Sequence, residues 1–79
     1  MFIFNTTPEQ KLEVYRIASL MSAYPDLTSE FITDVVNIAL KSQGTFDLMT
    51  LWRDEKDQEE RNQIIEDLKE SIKDFKYIK

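Results

Sequence analysis

The sequence predicts an all-α fold, a compact four-helix bundle-like small domain with a short extended N-terminal arm. Three observations predict it. Apolar residues recur at spacings of three and four almost throughout the 79-residue chain, the period of an α-helix with one buried face. Hydroxyl caps and breakers, Thr7-Pro8, Pro25 and Gly44, stand where those runs begin or end. An apolar content of 42% with charges of both signs interspersed is that of a chain able to fold around a core. No internal repeat, low-complexity tract or Gly/Ser linker interrupts it, so residues 1–79 read as one helical domain with helices at about 8–24, 29–42, 46–54 and 58–77.

Residues 1–6 form the arm. Met1, Phe2, Ile3 and Phe4 are apolar and give way to Asn5, Thr6 and Thr7. A signal peptide needs a basic start and a longer apolar stretch, and a membrane span needs about 20 apolar residues. The arm meets neither requirement, so a cytoplasmic location is expected. It either packs on the protein's own core or reaches a partner.

The first helix begins with Thr7, Pro8, Glu9, Gln10, a capping box with proline at the first helical position, and Pro25 limits it. Val14, Tyr15, Ile17, Ala18, Leu20, Met21 and Tyr24 cover more than half its circumference, leaving Arg16, Ser19 and Ser22 as a narrow polar strip. So wide an arc predicts contact on two sides: either this helix is central in the bundle, or part of its face meets another subunit.

The second helix carries Phe31, Ile32, Val35, Val36, Ile38 and Ala39 on one face. Gly44 is placed to end it with a left-handed cap, after which Thr45 would cap a third helix bearing Phe46, Leu48, Met49, Leu51 and Trp52. Arg53 to Gln63 contains no apolar residue. In helical register Arg53–Asp57, Lys56–Glu60 and Asp57–Arg61 are oppositely charged i,i+4 pairs, each worth about 0.3 kcal/mol when exposed, which favours a solvated helix or helical turn there. Ile64, Ile65, Leu68, Ile72 and Phe75 then form the stripe of the last helix. Extended backwards, that stripe meets Arg61, Gln58 and Asp54, so it is too short for an autonomous coiled coil.

Composition narrows the function. With no His and no Cys, the chain lacks the usual proton shuttle at neutral pH and the soft metal ligands. Its one glycine cannot build a phosphate-cradling loop. The carboxylates Asp54, Glu55, Asp57, Glu59 and Glu60 have neither the glycine turn of a calcium loop nor the Glu-x-x-His of a di-iron bundle, and they read as a solvated face. No catalytic, cofactor-binding or metal-binding residue is assigned, and a carboxylate metal-dependent enzyme is a remote alternative. Net charge is −5, which opposes phosphate backbones. A helix-turn-helix-like pair over about 29–54 makes a nucleic-acid-associated regulator the runner-up, although a recognition helix opening Thr45, Phe46, Asp47 lacks base-reading side chains.

The expectation is therefore a non-catalytic, small acidic protein acting through protein–protein contacts, as a homodimer, small subunit or regulator. A domain this small without disulfide or metal gains from a partner. The candidate interface residues are Phe2, Phe4, Leu20, Tyr24, Trp52 and Tyr77. Trp52, where apolar sequence meets the charged run, either caps the edge of the core or anchors a partner.

Overall fold

The computed structural model describes residues 7–77, with side chains to residue 75. Residues 1–6, the expected extended arm, lie outside that range. Four helices and no strand make up the described residues: α1 (Pro8–Ser22), α2 (Ser29–Ala39), α3 (Gln43–Asp54) and α4 (Gln58–Tyr77). The all-α, four-helix prediction holds.

Local chemistry sets the boundaries. The Thr7 hydroxyl accepts from Gln10 N at 3.1 Å, and the Gln10 side chain accepts from Thr7 N at 3.0 Å, so both halves of the capping box form. α1 closes with Ala23 as its C-cap, two residues ahead of Pro25, and Thr28 caps α2 by accepting from Phe31 N. The connector after α2 departs from expectation. α2 stops at Ala39, and Ser42, not Thr45, caps α3 by accepting from Thr45 N at 3.5 Å. Gly44 lies inside the first turn of α3 with an ordinary negative φ. The reason is that Ser42 supplies a hydroxyl three residues before Thr45, which starts the helix early and leaves no left-handed position for glycine to fill.

α2 and α3 form the middle of the molecule, each packing on the other and on both α1 and α4. Among the described residues α1 and α4 flank that pair without packing on each other, so α1 is not the central helix. One core joins the layers: Val14, Ile17 and Met21 from α1, Val35 and Ala39 from α2, Met49 and Trp52 from α3, and Ile65 and Leu68 from α4. Each large side chain there contributes about 1.5–3 kcal/mol by leaving water. Phe31, Ile32, Val36, Leu40, Phe46, Leu48, Ile64 and Ile72 are partly buried around it. No helix among the described residues is long and apolar enough to cross a membrane.

Candidate protein interface

The broad apolar arc of α1 divides into two faces. With roughly 100° between successive residues, Val14, Ile17 and Met21 share the inner side and are fully buried. Leu12 and Tyr15 point almost the opposite way and are 52% and 54% exposed. They form a row with Pro8 and Ser19 at spacings of four, three and four. Leu20, on the flank between the faces, is 49% exposed. The other exposed large apolar side chains among the described residues are Tyr24, just past α1, Leu51 on the outside of α3, and Phe75 near the end of α4.

The charges beside the outer row are ordered. Glu9 and Arg16, seven residues apart, run along one edge, and Lys11 lies on the other next to the partly buried Ala18. Among the described residues Arg16 makes only a loose pair with Glu13, at 3.8 Å, and Glu13 is otherwise engaged by Arg53 of α3. Arg53 also holds Asp54 with Nε and Nη2 at 2.8 and 3.0 Å. Those bonds, first to Asp54 and then to Glu13, push the Arg53 pKa up, and they keep the Asp54 carboxyl below the usual carboxylate range. Arg53 thus fastens α3 to the inner flank of α1 and leaves the outer row untouched.

Two candidate residues meet at an internal junction. Trp52 is 2% exposed, its ring packed edge-on against Tyr24 with centroids 5.3 Å apart. Over both rings lies the Arg61 guanidinium, 4.4 Å from the Trp52 centroid and 5.5 Å from that of Tyr24. Arg61 Nε donates to the Trp52 carbonyl at 3.1 Å, and Nη1 donates to the Tyr24 hydroxyl. Cation–π attraction of this kind contributes about 0.5–2 kcal/mol as water is excluded. Trp52 therefore completes the core edge beneath a lid of Tyr24 and Arg61. A shallow hollow beside the lid, about 50 Å³, is lined in part by Asp26, Gln58 and Asn62, and Gln58 is already bonded to Asn62 at 3.0 Å.

The charged run is divided in two. Arg53 and Asp54 end α3, residues 55–57 connect, and α4 starts at Gln58. None of the three expected i,i+4 ion pairs forms, because the connector breaks helical register across two of them. In the third, Asp57 caps α4 instead: its Oδ1 accepts from Glu59 N at 3.0 Å and its carbonyl from Arg61 N at 2.9 Å. Glu55 Oε1 accepts from the Lys56 and Asp57 amides. These carboxylates are spent on backbone donors, and among the described residues no three His, Cys, Asp or Glu converge as a metal-binding group.

Of the six candidate residues, the structure thus places Leu20 on the flank of α1 and brings Tyr24 and Trp52 together at the junction. Phe2 and Phe4 lie outside the described residues, as does the side chain of Tyr77. Leu12 was missed because it falls within the strip that Arg16, Ser19 and Ser22 mark as polar. The signal was there in the 8, 12, 15, 19 row, which is a second stripe. Compared with protein-family models, with curated proteins and with solved structures, the chain finds no match in any of the three.

Proposed function

We propose that this chain acts by binding protein surfaces, first a second copy of itself and otherwise a larger protein that it serves as small subunit or regulator. One observation carries the reading. Three of the large exposed apolar side chains, Leu12, Tyr15 and Leu20, lie on α1, a helix whose inner face is already buried. Scattered surface apolar residues need no explanation, but a helix with a second apolar row on its far side has surface to offer. The nucleic-acid alternative draws less support: no Lys or Arg stands in the first turn of α3, and the one base-reading amide there, Gln43, donates to Asp47 at 2.8 Å.

Absolute mass by light scattering on a size-exclusion column, over a wide concentration range, tests the reading. A dimer that forms with concentration supports self-pairing. A monomer throughout removes self-pairing and leaves the larger partner, to be sought by pull-down with Leu12→Glu and Tyr15→Glu proteins as the non-binding controls.

A further inference from the structure

We infer that the outer face of α1 pairs antiparallel with the same face of a second copy, about a two-fold axis passing beside Leu12. This rests on the self-association reading above and specifies its surface. Antiparallel helices bring like edges together: the edge that follows one core position on one helix faces the same edge on its mate. In the row Pro8, Leu12, Tyr15, Ser19 that edge holds Glu9 and Arg16. A two-fold axis near residues 12–13 sets Glu9 of one copy opposite Arg16 of the other, and the symmetry makes the same pair a second time. The edge is therefore complementary to itself, as a closed isologous contact requires.

The apolar row fits the same register. Leu12 lies next to the axis and packs against Leu12 and Tyr15 of the second copy, while Pro8 and Ser19, small or compact, sit at the ends where the helices diverge. The other edge presents Lys11 beside Ala18; a lysine there keeps its ammonium in water on a long apolar stem. Arg16 is available for the exchange, since among the described residues its only ion pair is the loose one to Glu13, and its side chain is 67% exposed. Glu9 is exposed and bears no ion pair among the described residues. Parallel helices, by contrast, would set Lys11 of one copy near Arg16 of the other, a like-charge pair made twice by the two-fold symmetry.

Sedimentation equilibrium of the full chain tests this with four proteins: the unaltered sequence, Glu9→Arg, Arg16→Glu, and the double exchange Glu9→Arg/Arg16→Glu, each checked for native helicity by circular dichroism. Each single change sets like charges opposite one another twice per dimer, and the dissociation midpoint rises about tenfold or more. The double exchange restores opposite charges and returns the midpoint to within about threefold of the unaltered protein. In a chain with no cysteine, Leu12→Cys then cross-links under mild oxidation and Ser19→Cys does not. A dimer that neither single change weakens overturns the α1 contact while leaving self-association standing through another face. A monomer at every concentration overturns both; a lowered melting temperature for Leu12→Glu in that case would show that the chain covers this row itself.

Discussion

The junction of Tyr24, Trp52 and Arg61 and the outer row of Leu12 and Tyr15 have similar side chains and opposite fates. Both combine aromatic or aliphatic surface with an arginine nearby. At the junction the arginine comes from α4, reaches across the α3–α4 turn, and closes over the rings with its Nε bonded to a backbone carbonyl. On the outer row Arg16 sits beside Tyr15 in sequence and turns away to a loose intrahelical pair. An apolar cluster is sealed in this molecule only where a second element brings a lid to it. Where none of the described elements faces α1, the same kinds of residue remain open, and stability and association should respond to different substitutions.

Breaking the junction at its base gives the largest effect. Trp52→Ala removes a buried indole from beneath Tyr24 and Arg61 at the core edge, and is expected to cost about 3–5 kcal/mol, as for large aromatic residues truncated in cores. Urea unfolding followed by circular dichroism measures it. Removing only the lid costs less. Arg61→Met keeps an unbranched apolar stem over the ring but loses the guanidinium, its carbonyl bond and the tyrosine contact, for about 1–2 kcal/mol. Arg61→Lys should recover under half of that, because an ammonium cannot stack flat on the indole while donating sideways. The single tryptophan reports the change directly, its emission moving to longer wavelength in Arg61→Met as water reaches the ring.

What could be read in the sequence was what depends on near neighbours. Thr7 and Gln10 predict a capping box because both partners lie within one turn, and the α2 face is legible because its apolar residues repeat without exception. The junction was not legible, since its contacts join residues 9 and 37 apart. The sequence instead pairs Arg61 with Asp57, the opposite charge one turn earlier, in a helix that the connector interrupts. Once the turn at 55–57 is known, an antiparallel α3–α4 hairpin sets Trp52 beside Arg61, so the missing information was a helix boundary. Gly44 shows the same weakness at the other end of α3. The competing caps differ in sign when tested: a left-handed cap makes Gly44→Ala destabilising, whereas in the first turn of α3 an added Cβ meets only Ser42 Oγ at 3.8 Å. Gly44→Ala is therefore expected to stabilise by about 0.4–1 kcal/mol, through the lower entropy of the unfolded chain, visible as a higher urea midpoint at unchanged slope.

The smallest stability effect belongs to the outer row, and its smallness sharpens the contrast with the junction. Tyr15→Ser removes an aromatic side chain as Trp52→Ala does, but one that is 54% exposed among the described residues. Its cost to the monomer should stay within about 0.5 kcal/mol, measured by urea unfolding at a concentration low enough to keep association out of the equilibrium. If Tyr15 makes its contacts in a second molecule, the same substitution must weaken association far more than it weakens the fold. Unfolding midpoints of the unaltered protein would then rise with concentration and those of Tyr15→Ser would not. Should Tyr15→Ser instead cost as much as a core truncation at every concentration, the row would already be buried within one chain. The division of α1 into a sealed face and an open one would then fail.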